Sequence, residues 1–449
     1  MHYLPLTEND REEMRKSLGI RATDELFQCI TSTGCRFPAA GLPEALSEPE
    51  LIARFREFAA RNTYPDHLSF LGGGAYDHFI PEVVNSLSGK AEFLTPYTPY
   101  QPEVSQGSLM AMFEYQTMMT QLTGLDVANS SLYDGGTAAA EGLLLIVRKT
   151  GVNRVLVAET LHPEYLEILR TYVRNLGIEL VTVGWDRSNG RVDESDLQAK
   201  LATPAAGFLF QSPNFLGVVE TAQPLCEKVH AAKGHAVMVV AEAMSLALLT
   251  PPGACGIDLV VGEAQSFGMP LSFGGPTLGF MALKEEFLRQ MPGRVVGQTH
   301  DVDGRRGYVL TLSTREQHIK REKATSNICS NEAWCALRAG IYLAALGRQG
   351  LRDVAGQCHQ NAAYFVDRLE KMPRVQVLFA RGFYNEVVIS LPGMTSDALL
   401  TRLRSHKILA GIPLKWFHPE MTGEILVAFT EMHKTSDIDR LVSALGELA

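Results

Sequence analysis

At 449 residues, 46% hydrophobic and 20% charged, the chain has the composition of a folded protein with one large domain and a smaller one. A net charge of -9, with no run of Lys or Arg, argues against a nucleic-acid partner. Seven cysteines (Cys29, Cys35, Cys226, Cys255, Cys329, Cys335, Cys358) form no CxxC pair, which argues against a disulfide framework and a zinc site. Most are expected as small buried groups in a reducing compartment.

The N-terminal segment has no leader-like apolar core, and no stretch of ~20 apolar residues follows, so a cytoplasmic protein is expected. Residues 1–69 read as a helical arm. Thr7-Glu-Asn-Asp10 precedes a helix over 11–18 that Gly19 stops, and a second helix covers 51–61. Such an arm either embraces a second subunit or packs on its own core. Residues 70–103 are rich in Gly, Pro, Tyr and Thr, and Pro96, Pro99 and Pro102 force extended structure. A helix follows over 103–123, with Leu109, Met112, Phe113, Met119 and Leu122 on one face and Gly124 as its stop.

Within residues 70–310, buried strands are predicted at 154–158, 179–183, 207–211, 236–240 and 258–261, with helices near 163–175, 194–201 and 223–233. Alternating βα units with continuous apolar strands predict an α/β domain built on a mainly parallel sheet covered on both faces. Residues 311–449 read as a smaller α+β domain. It has helices at 331–346 and 351–371, strands at 375–379 and 386–391, a helix at 396–406, a strand at 425–429 and a closing helix.

Several residue groups could carry chemistry. Gly135-Gly136-Thr137 opens a helix, where backbone N–H groups can approach an anion or simply make a tight turn. His162 follows the strand at 154–158, either on a ligand-binding rim or as a cap. Asn214 and Glu242 close two further strands, so a single pocket at the sheet rim is expected.

Long strings then bring in a resemblance. Residues 70–81 (FLGGGAYDHFIP), 95–109 (TPYTPYQPEVSQGSL), 113–138 (FEYQTMMTQLTGLDVANSSLYDGGTA), 262–270 (GEAQSFGMP), 273–276 (FGGP) and 314–329 (TREQHIKREKATSNIC) closely resemble the P-protein of the glycine cleavage system. The match runs through nearly the whole chain, and the length is that of the separately encoded N-terminal chain. The resemblance implies a pyridoxal-phosphate-dependent transferase of fold type I. It implies a cofactor phosphate at Gly135, Gly136 and Thr137, a stacking ring at His162 and a pyridine-nitrogen partner at Glu242. N-terminal chains more often have Asp-Pro where this one has Glu242-Ala243.

The family's Schiff-base lysine has no counterpart. Residues 258–276 contain no lysine, and Gln265 and Ser266 stand where the amine belongs. Neither an amide nor a hydroxyl forms an imine. The pocket of Gly135, Gly136, Thr137, His162, Asn214, Glu242, Gln265 and Ser266 is therefore expected to be vestigial, and pyridoxal phosphate to belong to a lysine-bearing partner subunit. The resemblance further implies an α2β2 assembly that decarboxylates glycine and passes the aminomethyl group to the lipoyl group of H-protein. This chain would wall the partner's site with Thr95, Tyr97, Tyr100, Gln101 and Glu103, or with Arg315, His318 and Lys323 near Arg321. The alternatives are a rigid connector and a solvated charged face. A stand-alone transaminase or desulfurase would need the missing lysine, whereas a non-catalytic scaffold or docking subunit of the same complex would not.

Overall fold

The computed structural model describes residues 6–31 and 41–448, which form two compact units divided between Tyr64 and Pro65. Cys35 lies outside the described residues. In the first unit, helix α1 (Glu8–Leu18) is opened by a capping box. Thr7 Oγ1 accepts from Asp10 N at 3.2 Å, and the Asp10 carboxylate accepts from Thr7 N at 2.7 Å. Gly19 ends it in the left-handed conformation. Helix α2 (Glu48–Ala60) keeps half of the device, the Glu50 carboxylate accepting from Ser47 N at 2.9 Å. No described side chain in this unit is buried.

The second unit is built on a seven-stranded sheet. In chain order its strands are β1 (Val127–Ala128), β2 (Arg154–Ala158), β3 (Glu179–Val183), β4 (Gly207–Gln211), β5 (His235–Val240), β6 (Leu259–Glu263) and β7 (Gly279–Leu283). Their spatial order is β1-β7-β6-β5-β4-β2-β3. Strands β2 to β6 pair in parallel, while β7 returns antiparallel to β6 and β1 pairs antiparallel with β7. Helices α3 (Gln106–Thr123) and α4 (Gly135–Thr150) precede β2, and α5 (Pro163–Val173), α6 (Glu194–Leu201) and α7 (Ala222–Ala231) make the crossovers.

Strand residues alternate between two apolar layers, as the pleat requires. Leu156, Phe208, Phe210, Met238 and Val260 meet Tyr115 and Met119 of α3 and residues of helix α8 (Ser330–Leu369). Val155, Val157, Leu209, Val237 and Val261 meet Leu143 and Ile146 of α4 and Leu166 and Leu169 of α5. The sheet is thus mainly parallel and covered on both faces. A hairpin of β8 (Val295–His300) and β9 (Arg306–Thr311) packs on α3.

The C-terminal part carries a four-stranded antiparallel sheet, in the order β10 (Gln376–Leu378), β11 (Glu386–Ser390), β13 (Glu424–Ala428) and β12 (Ile412–Pro413). Helices α9 (Ser396–Ser405) and α10 (Thr435–Leu448) cover it. The two helices predicted at 331–346 and 351–371 are found as the two limbs of α8, which break at Gly347, whose φ of 60° and ψ of -177° only glycine adopts readily. Cys226, Cys335 and Cys358 are buried, Cys255 is half-buried, and Cys29 and Cys329 are exposed, so fewer are buried than expected. Among the described residues no helix is long and apolar enough to cross a membrane.

Candidate active site

The glycine-rich start of α4 is held from both sides. Asp134 caps it, accepting from Thr137 N at 2.7 Å, while Thr137 Oγ1 accepts from Asp134 N at 3.2 Å. The Thr137 hydroxyl is turned back into this capping box. Helix α5 packs so close that a Cβ on Gly135 would lie 2.2 Å from Tyr165 Oη, and one on Gly136 2.4 Å from Ile168 Cδ1. The free N–H of Gly135 donates to the Glu263 carboxylate at 3.0 Å. Glu263 also accepts from Gln265 N at 2.9 Å and Leu278 N at 2.8 Å, and burial pushes its carboxyl up to about 7. The acid at the helix start belongs to the chain itself.

Three of the remaining pocket residues, His162, Gln265 and Glu242, meet one segment, the glycine-rich stretch around residues 73–78. His162 caps α5, its Nδ1 accepting from Glu164 N at 3.2 Å, so Nε2 carries the proton that Gly73 O accepts at 2.6 Å. Its ring stacks on Tyr165 at 4.6 Å, and burial keeps it below the usual histidine range. Gln265 Oε1 accepts from Tyr76 N at 3.2 Å, and its Nε2 donates to Met269 O at 2.6 Å. Glu242 accepts from Met244 N at 2.7 Å and from Ser266 Oγ at 3.0 Å.

The same Glu242 oxygen lies 3.4 Å from His78 Nε2, while His78 Nδ1 meets Glu431 at 2.7 Å. Burial alone would depress the His78 pKa, but Glu242 and the bond to Glu431 hold it well above the ordinary value. His78 thus sits between two acidic side chains, with its charged form favoured. Glu386 accepts from Gly73 N at 2.7 Å and Tyr76 Oη at 3.0 Å, completing the set.

Asn214 stands apart from this group. Its amide donates to Gly190 O and Glu220 Oε1, both at 2.8 Å, and its oxygen accepts from Leu216 N and Val218 N. It shapes a turn. Tyr76, His78, Glu263, Glu386 and Glu431 were not singled out in the sequence; the glycine run at 72–74 was the visible signal, and it carried no assigned role.

These residues do not fit pyridoxal phosphate. The helix start already holds a carboxylate, His162, Gln265 and Glu242 are each engaged by the chain's own 73–78 segment, and no lysine lies in residues 258–276. The first amine beyond, Lys284, is bound to Asp258 at 2.5 Å and to Gly256 O at 3.0 Å.

The second group of candidates lies on an exposed strap. Thr95 caps the short helix Ala91–Leu94 through Ala91 O at 2.7 Å. Tyr97 is 82% exposed, and Tyr100, Gln101 and Glu103 are also exposed. The Tyr100 ring meets His318 edge-on at 6.5 Å, which brings the strap and the 315–323 segment together. Lys323 is exposed. Arg315 is not a free cation waiting for substrate. Its guanidinium donates to Leu312 O at 3.3 Å, Gly293 O at 3.2 Å and Met291 O.

A profile of the glycine cleavage system P-protein family matches residues 1–445. The protein named probable glycine dehydrogenase (decarboxylating) subunit 1 of Desulfitobacterium hafniense is 46% identical over 452 residues, covering 100% of both chains. Its namesake from Geobacillus kaustophilus is 45% identical over 446 residues, 99% of this chain and 98% of its own. A crystal structure of glycine decarboxylase (P-protein) of the glycine cleavage system, in inhibitor-bound form, matches with a TM-score of 0.88 at 42% identity over 100% of both chains. A cysteine desulfurase from Thermococcus onnurineus matches with a TM-score of 0.61 at 16% identity, over 86% of this chain and 95% of its own, a likeness of fold alone. The architecture is fold type I of the pyridoxal-phosphate enzymes, and the chain belongs to the glycine cleavage system P-protein family.

Proposed function

We propose that this chain is subunit 1 of a two-subunit glycine decarboxylase, with a companion subunit that carries the lysine and the pyridoxal phosphate. The observation that carries this reading is a pocket filled by the chain's own 73–78 segment and Glu263, in a chain that also presents a strap of exposed tyrosines. Pyridoxal phosphate on the partner would supply the electron sink for loss of CO2 from glycine. This chain's part is to wall that site and keep water from the reacting carbon, with Tyr97, Tyr100 and Gln101 offering hydrogen bonds from a strap whose prolines limit its freedom. Thr95, Glu103, His318 and Lys323 flank it. An α2β2 assembly in the cytoplasm, and transfer of the aminomethyl group to the lipoyl group of H-protein, belong to the same reading.

Exchange of bicarbonate into the glycine carboxyl group tests the proposal with this chain alone, the partner alone and the two mixed. Turnover is expected only in the mixture. Tyr97→Ala or Gln101→Ala in the assembled complex is expected to lower kcat on the order of tenfold without loss of assembly. Turnover by this chain alone would overturn the proposal, and unchanged kcat in both variants would assign it a scaffold role instead.

A further inference from the structure

Outside the filled pocket, Arg294 is a buried charge with no carboxylate partner among the described residues. Arg294, at the entry to β8, is only 8% exposed, yet its Nε meets no acceptor. The contacts of its guanidinium are weak, with Thr98 Oγ1 3.5 Å from Nη2 and the Tyr100 ring centroid 5.9 Å from Cζ. Among the described residues no carboxylate forms an ion pair with it. Arg338, also buried, shows the usual solution, since its nitrogens donate to Gly268 O, Ser88 Oγ and Asn85 Oδ1. A guanidinium taken out of water without such partners is unfavourable unless an anion joins it.

Arg294 lines a cavity of about 350 Å³ between the strap, α3 and α8. Ser330 and Asn331, the first residues of α8, line it too, and the residue before them, Cys329, provides no side-chain cap. An uncapped helix start and an unpaired arginine therefore meet in one space, and both favour negative charge. Thr98 Oγ1 and Ser330 Oγ, 2.7 Å apart, add hydroxyl groups. Glu332, the acid of the same helical turn, does not line the cavity, but its carboxyl accepts from its own backbone N–H and from Asn331, so Arg294 is the main anchor for an outside anion. Much of the remaining lining is apolar, with Phe93, Pro96, Met112 and Trp334.

We propose that this cavity binds a carboxylate carrying a short aliphatic chain. Arg294 and the start of α8 hold the acid, and Trp334 and Met112 cover the chain. The carboxylate comes either from a free small acid or from an Asp or Glu side chain of the partner subunit. The inference does not rest on the strap lining a decarboxylation site, and it stands if Tyr97 proves irrelevant to turnover.

The test is calorimetric titration of the full-length chain with sodium butyrate and with butan-1-ol at constant ionic strength, followed in parallel by tryptophan fluorescence. Saturable butyrate binding is expected, with butanol at least about tenfold weaker, since the charge is what the site recognises. Arg294→Gln should weaken butyrate by about tenfold or more, while Thr98→Ala, a milder change, should weaken it less. Butyrate binding that survives in the assembled complex identifies a free acid. Binding lost on assembly, with Arg294→Gln weakening assembly itself, identifies the partner's carboxylate. Equal affinity for butyrate and butanol, or no saturable butyrate binding, overturns the proposal irrespective of how the variants fold.

Discussion

Glu263 and Glu386 are both pushed up to about 7 by burial, but their oxygens face different partners. Each folded carboxyl holds its proton above the unfolded value of about 4.3, so the folded state binds more protons across the interval up to about 7. The stability each contributes is fully present below the unfolded value and declines as pH rises through the folded one. In Glu386→Gln the amide oxygen can accept from Gly73 N, and the new NH2 can donate to the Tyr76 hydroxyl oxygen. At pH 8 the variant is expected to match the parent within about 1 kcal/mol and to lose less stability between pH 5.5 and 8. Glu263 offers no such exchange, because all three donors to it are backbone N–H groups. Whichever way a glutamine is turned, one N–H faces another, and Glu263→Gln should lose about 1–3 kcal/mol at pH 8. Urea midpoints at the two pH values measure both, and equal losses in the two variants at pH 8 would refute the hydrogen-bond assignment.

At the scale of elements, the central strands were legible because each is a short apolar, β-branched run bounded by turn residues. The strands predicted at 154–158, 179–183 and 207–211 are found with those bounds. The antiparallel return of β7 was not legible, since its apolar run says nothing about direction, and neither was the β8–β9 hairpin. The gap at the lysine position was visible in the sequence; the filling of the pocket was not. Gly73 meets Glu386 across 313 residues of sequence and His78 meets Glu431 across 353, distances at which no local pattern specifies a contact. Glycine 74 tests the filling segment directly. Its φ is +109°, and a Cβ there would lie 2.7 Å from His162 Nε2. Gly74→Ala is expected to cost about 2–4 kcal/mol through strain and displacement of the His162 ring. Gly107→Ala, near the start of α3 with nothing within 4 Å, should stabilise by up to about 1 kcal/mol instead. Opposite signs in the urea midpoints are the expected outcome; a neutral Gly74→Ala would mean that the segment does not seat on His162.

For the whole molecule, the first unit poses a question of cover. Leu51, Ile52, Phe55 and Phe58 of α2 are all exposed, and the guanidinium groups of Arg54 and Arg61 lie over the Phe58 ring. An apolar helical face is stable in water only weakly, because most helical stability comes from packing that face. The relatives are named as a subunit 1, so the cover we expect is the second subunit of the complex. If so, the face contributes to assembly and not to the folding of the isolated chain. Changing Phe55 and Phe58 together to Glu should then leave the unfolding midpoint of the isolated chain within about 0.5 kcal/mol of the parent. The same pair of changes should weaken association with the partner on the order of tenfold or more, because aromatic anchors dominate such contacts. Sedimentation velocity with the purified partner reads the second effect and urea unfolding the first. A variant that assembles normally but unfolds more easily would place the face inside this chain's own fold.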